Sequence, residues 1–143
     1  MREKLLISSC LMGKNVKYNG KNNLIDLTLL QKKYILIPFC PEVEGGLSTP
    51  RPPSEITSFN PLKLINIEGQ DVTNEFVLGA KKCLNLVKKH NIKKALLKAN
   101  SPSCSSCKVY DGSFSGKLIK GKGVTTLFLE EIGIEVLDEN SKF

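Results

Sequence analysis

Three of the five cysteines lie in polar stretches of permissive backbone, each after a short apolar run. They are Cys10 in Ser8-Ser9-Cys10-Leu11-Met12-Gly13, Cys40 in Phe39-Cys40-Pro41-Glu42-Val43-Glu44-Gly45-Gly46, and Cys104 in Asn100-Ser101-Pro102-Ser103-Cys104-Ser105-Ser106-Cys107. Glycine lets a backbone approach a bound group closely, and proline fixes the loop around it. Thiols in such loops are candidate metal ligands, whereas a free cysteine on an apolar face is more often a small core residue. Cys83 is of the second kind, because it shares a helical face with Phe76, Ala80 and Val87.

Three chemistries suit the remaining thiols. Cys104-Ser105-Ser106-Cys107 is a C-x-x-C, the spacing of a redox pair or of half a zinc site. A redox pair normally opens a helix, whose N-terminus lowers the thiol pKa, but Lys108-Val109-Tyr110-Asp111-Gly112 reads as turn or strand. Zinc held by Cys10, Cys40, Cys104 and Cys107 is chemically sound, yet structural zinc ligands tend to come as two close pairs, and Cys10 and Cys40 are lone residues. An iron-sulfur cluster held by isolated thiolates fits the spacing better.

The thiols need elements to bring them together. Leu5-Leu6-Ile7, Tyr34-Ile35-Leu36-Ile37, Ala95-Leu96-Leu97 and Ile134-Glu135-Val136-Leu137 are short apolar runs that predict buried strands. Helical periodicity falls on Leu24, Leu27 and Leu30, on Phe76, Ala80, Cys83 and Val87, and on Val124, Leu127, Phe128 and Ile132. Thr73 is the expected N-cap of the second helix, and Gly133 suits the end of the third. Strands alternating with amphipathic helices imply a mostly parallel sheet with helices on both faces, a Rossmann-like α/β fold. A proline-rich insertion follows the second strand over residues 39–71, its first half an irregular loop and residues 63–69 an added strand and turn. In open α/β sheets the ligand crevice lies beyond the carboxyl ends of the strands. Cys10, Cys40 and Cys104 each follow a predicted strand, so all three are expected at that edge.

The chain has 143 residues and is 41% hydrophobic, enough for one core, and residues 1–143 are expected to form a single domain. The run after Met1-Arg2-Glu3-Lys4 is too short for a signal peptide, and no stretch approaches the ~20 apolar residues of a membrane span. A cytoplasmic protein with no membrane partner is expected, and there the thiols stay reduced. The formal charge of +7 favours anionic partners, but the lysines are dispersed, so charge alone does not establish nucleic-acid binding.

The motifs, taken in order, resemble the thiouracil desulfidase family, once known only as a domain of unknown function. They are Ser9-Cys10-Leu11-Met12-Gly13 with Tyr18-Asn19-Gly20, then Cys40-Pro41-Glu42-Val43-Glu44-Gly45-Gly46-Leu47-Ser48-Thr49-Pro50-Arg51, then Gly69 with Asp71-Val72-Thr73. Ser101-Pro102-Ser103-Cys104, Tyr110-Asp111-Gly112-Ser113-Phe114-Ser115-Gly116 and Gly121-Lys122-Gly123-Val124-Thr125 complete the series. The resemblance implies a 4Fe-4S cluster on Cys10, Cys40 and Cys104, with the fourth iron free of protein ligands. It implies non-redox removal of sulfur from a thiolated pyrimidine such as 4-thiouracil, as base or nucleoside, giving uracil and sulfide. Glu42 and Ser101 would be the catalytic polar residues, with Ser9, Arg51, Ser103 and Asp111 as further candidate substrate contacts. Glu44 is an equally available carboxylate, and His90 is expected at the surface.

Two positions depart from the family pattern. Val16 stands where relatives often carry a second cysteine, and Cys107 supplies a thiol they lack, one able to close the cluster. Two rival readings are a basic RNA-binding module with a structural metal and a sulfur carrier in tRNA thiolation, with tRNA as the partner.

Overall fold

The computed structural model describes residues 2–141. Four strands, β1 (Glu3–Ser8), β2 (Tyr34–Phe39), β5 (Lys94–Leu96) and β8 (Glu135–Leu137), form one sheet in the order β2-β1-β5-β8. Every neighbouring pair is parallel, with Leu6 opposite Ile37 and Ala95, and Ala95 opposite Val136. Alternation along the strands divides the core. Leu6, Ala95 and Val136 pack with Cys83, Val87 and Leu129 of helices α3 (Thr73–Lys89) and α4 (Val124–Glu131). Leu5, Ile7 and Leu96 pack on the other face with Leu11, Leu30 and Tyr34. The expected parallel α/β sheet with both faces covered is the observed one. Among the described residues no helix is long and apolar enough to cross a membrane.

Several local expectations are corrected. The first helix is only α1 (Thr28–Lys33), and Leu24 lies outside it, well exposed. The side chains of Asn19, Asn22 and Asp26 each accept the N–H two residues ahead, an alternative to helical bonding. The backbone of Asn23 and Ile25 then donates to the carbonyls of Cys10 and Leu11. The insertion starts with a helical turn, α2 (Pro41–Glu44), rather than irregular loop, since Pro41 sits at its first position, where a missing N–H is harmless. Its remainder holds an antiparallel hairpin of β3 (Ser54–Phe59) and β4 (Leu62–Asn66), bounded by the prolines that suggested a structureless segment. A second hairpin pairs β6 (Lys108–Tyr110) with β7 (Leu118–Lys120). Thr73 is the first helical residue of α3, not its cap: its hydroxyl donates to Asp71 and accepts the N–H of Leu64, tying the helix to β4. Gly133 ends α4 as expected, left-handed at φ 85°, donating to the carbonyl of Glu130.

Two helices grip the cysteine loops by backbone-to-backbone contact. A Cβ at Gly79 of α3 would lie 1.9 Å from the carbonyl oxygen of Pro41, and one at Gly45 would lie 2.0 Å from that of Glu75. The turn that follows Cys40 is therefore pressed directly on α3. At Gly123 a Cβ would lie 2.5 Å from the carbonyl carbon of Ser103. The N–H groups of Gly123, Val124 and Thr125 donate to the carbonyls of Ser105, Pro102 and Ser103, so the Cys104 loop caps α4 with its own backbone.

Gly79→Ala sets two effects against each other. Alanine favours a helix interior by about 1 kcal/mol, but overpacking against a carbonyl that no rotamer can move costs about 1–3 kcal/mol or more. The urea midpoint of the variant is expected to fall; a midpoint at or above that of the parent would show that α2 and α3 are not in backbone contact.

Candidate metal centre

Cys10, Cys40 and Cys104 line one cavity of about 580 Å³ at the carboxyl edge of the sheet. Each reaches it by a different local device. Cys10 lies in a single 3-10 turn (Ser9–Met12) directly after β1, ended by left-handed Gly13. Cys40 is the residue between β2 and α2, in extended conformation. Cys104 is in the irregular loop after β5 that is fastened to α4.

Polar hydrogens surround the sulfurs. The hydroxyls of Ser8 and Ser103 donate to Cys104 Sγ at 3.6 and 3.5 Å, and the Asn23 amide donates to Cys10 Sγ at 3.5 Å. Burial pushes the Cys104 thiol up to about 12, with Ser103 and Ser8 opposing that shift. Burial likewise raises Cys10, opposed by Asn23 and Lys98, and raises Cys40. Without a cation these groups are held as neutral thiols. A bound metal reverses that preference by taking each as a thiolate and releasing its proton. Among the described residues no three Cys, His, Asp or Glu side chains converge tightly enough for a single ion. The all-sulfur donor set, the open cavity and the donors at the sulfurs fit an iron-sulfur cluster.

A hydrogen-bonded chain adjoins the thiols. Ser101 Oγ accepts the N–H of Ser103 at 3.2 Å and of Cys104 at 3.1 Å, which occupies both lone pairs. Its own hydrogen is thereby directed to Ser103 Oγ, 3.0 Å away. Ser103 in turn donates to Glu42 Oε2 at 2.8 Å, and Arg51 Nε pairs with Glu42 Oε1 at 3.1 Å. Four of the five Arg51 N–H groups are engaged by protein: besides Glu42 they reach the Ser48 carbonyl, the Thr49 hydroxyl and the Val16 carbonyl. Arg51 thus fixes a carboxylate and has little capacity left for a ligand.

The remaining sequence candidates divide. Ser9, Glu42, Arg51, Ser101 and Ser103 line the cavity together with the three cysteines. Glu44 is exposed outside it. Asp111 also lies outside, its carboxylate accepting the N–H and hydroxyl of Ser113. Cys107 is exposed and off the cavity, Cys83 is fully buried in the core, and His90 ends α3 beside Lys4. Sequence reasoning missed Ser8, Asn23, Lys98 and Glu139. Lys98 lines the cavity and pairs with Glu139 at 2.7 Å, while the other oxygen of that carboxylate accepts the N–H of Ala99. Only the adjacency of Ser8 to the Cys10 motif offered any hint of this group.

A family model described as 2-thiouracil desulfurase matches residues 5–141. A Bacillus subtilis (strain 168) protein described as uncharacterized protein YbbK is 41% identical, the match covering 95% of each chain. A solved structure of the 4Fe-4S-dependent thiouracil desulfidase TudS is 42% identical, with a TM-score of 0.91, and the match covers 97% of this chain and 92% of that one.

The burial pattern sets an order of thiol reactivity. In metal-free protein at pH 8, iodoacetamide is expected to label Cys107 first, with Cys83 and Cys104 protected until denaturant is added, as read by peptide mass spectrometry. Rapid labelling of Cys104 in the folded protein would contradict the geometry.

Proposed function

The chain belongs to the 2-thiouracil desulfurase family, and from that premise we propose that it is a desulfidase that removes sulfur from a thiolated pyrimidine base or nucleoside. Cys10, Cys40 and Cys104 would hold a 4Fe-4S cluster. The observation that carries this reading is the meeting of three thiols from three separate loops with an oriented Ser101–Ser103–Glu42 chain in one cavity. When bound, the cluster would supply a soft, Lewis-acidic iron without a protein ligand for the thiocarbonyl sulfur, drawing charge from the ring carbon.

The polar residues would manage water and protons. Exchange of C=S for C=O consumes one water and releases hydrogen sulfide, with no net oxidation. The attacking water must lose a proton; of the two carboxylates on the cavity, Glu55 holds the Gly112–Phe114 turn, and Glu42, two residues from Cys40, would accept it. Arg51 holds one oxygen of Glu42 and Ser103 the other, so the acceptor is fixed in orientation before substrate enters. Ser101 would act through Ser103 rather than touch water or ring, because its lone pairs and its hydrogen are all engaged by the Cys104 loop. Arg51 acts on Glu42 rather than on substrate, consistent with its engaged donors.

Cys107 enters this reading as a bystander, since its exposed position off the cavity favours a fourth iron left open. Protein reconstituted anaerobically is expected to bind about four irons with equal sulfide and to remove the absorbance of 4-thiouracil. Replacing Cys10, Cys40 or Cys104 by Ser should abolish the iron, whereas Cys107→Ser should keep both iron and turnover. Glu42→Gln should retain the iron and slow turnover roughly 10²–10⁴-fold. A colourless protein with one zinc would overturn the reading in favour of a metal-stabilised RNA-binding module. Iron loading without consumption of 4-thiouracil would favour a sulfur carrier.

A further inference from the structure

The cavity has an apolar wall that the desulfuration chemistry does not use: Tyr110, Phe114 and Ile67 line it. Phe114 is the unusual member. Its backbone is left-handed at φ 57°, a conformation open to glycine and tolerated by asparagine but a genuine outlier for a bulky side chain. Such outliers persist only where the surroundings over-determine them, and they concentrate at ligand sites. Here the determinant is one carboxylate. Glu55 is only 9% exposed, and its Oε1 accepts the N–H of Gly112 at 2.9 Å and of Phe114 at 3.1 Å.

The rest of the turn is equally constrained. Gly112 is left-handed at φ 94°, and a Cβ there would lie 2.9 Å from the carbonyl oxygen of Ile56. Asp111 closes the turn from its other side through Ser113. A buried carboxylate on β3 therefore holds an aromatic side chain on the cavity against its own backbone preference. Ile67, 58% exposed, and Tyr110 extend the same apolar surface. An aromatic side chain on the same cavity as the thiols and the Glu42 chain suits a flat ring, because stacking needs a planar partner and is indifferent to its edge groups.

We propose that Phe114 is a specificity-determining residue that stacks on the planar ring of a heteroaromatic thione, and that Glu55 positions it. This inference rests on the desulfidase reading of the same site and adds the selection of planar over puckered rings.

The test compares loaded enzyme acting on 4-thiouracil and on its 5,6-dihydro derivative, whose ring is not flat, and adds equilibrium binding of uracil as a readout without turnover. Phe114→Asn removes the aromatic face while keeping a residue that tolerates the left-handed backbone. It is expected to retain iron content and melting temperature, to weaken uracil binding and raise KM for 4-thiouracil by roughly tenfold, as loss of one base–aromatic stack predicts, and to leave kcat within about twofold. Its preference for 4-thiouracil over the dihydro compound should narrow, and Phe114→Tyr should restore it. Glu55→Ala should reproduce the rise in KM, and Glu55→Gln, which still offers an oxygen acceptor, should rescue it. Unchanged KM and uracil affinity in Phe114→Asn would overturn the inference. A parent protein that binds uracil but consumes no thione would overturn the desulfidase reading instead, and the fate of Phe114 would then be decided by uracil affinity alone.

Discussion

Direct packing of one backbone on another is the constraint from which the geometry of this site follows. At Gly79 and Gly45 the turn after Cys40 lies on α3 with no side chain between, and at Gly123 the Cys104 loop lies on the start of α4. The second contact is also a capping arrangement. A helix begins with N–H groups that have no partner within it, and three such groups are met by the carbonyls of Pro102, Ser103 and Ser105. Each bond contributes about 0.5–1.5 kcal/mol net, while a buried donor left unmet costs about 1–3 kcal/mol. The Cys104 loop is therefore much harder to displace than its irregular path suggests, and its thiol is presented by the helix that it caps.

Electrostatics then sets the ionisation state of the thiols. Three half-buried or buried thiols are held neutral by desolvation, Cys104 most strongly. Next to them Glu42 is embedded with Arg51, whose side chain is 5% exposed. Removing one partner of a buried ion pair costs about 3–5 kcal/mol because the other charge is stranded, so Arg51 and Glu42 hold each other in place. The single hydrogen of Ser103 lies between the two systems, with Glu42 Oε2 at 2.8 Å and Cys104 Sγ at 3.5 Å, so carboxylate and sulfur compete for one donor.

The parallel sheet was legible because its central strands β1 and β5 are largely buried, and strands covered on both faces read as short unbroken apolar runs. The helix carrying Phe76, Ala80, Cys83 and Val87 was legible because one apolar face repeats over its length. The cysteine loops stood out by composition. What stayed hidden depends on local side-chain competition or on distant partners. Asn22 accepts the N–H of Leu24, which stays outside the helix, and Asp26 accepts that of Thr28, where α1 begins with Leu27 as its N-cap. The strand Ser54–Phe59 was masked by flanking prolines and by its own Ser and Thr residues. Phe114 was visible as part of a motif but not as a strained residue, since its conformation is imposed by Glu55, 59 positions earlier in the chain. The roles of Glu42 and Glu44 looked alike in sequence; the pitch of the short α2 turn puts one on the cavity and leaves the other in solvent.

Three thiolates and a fourth iron open to the substrate sulfur, as proposed above, have a direct readout in Mössbauer spectroscopy of protein reconstituted with iron-57. One iron subsite distinct from the other three is expected, whose parameters alone shift when 4-thiouracil is added anaerobically, with the same pattern in Cys107→Ser. Four equivalent irons that do not respond to the thione, or a distinct subsite lost on replacing Cys107, would contradict the open fourth iron.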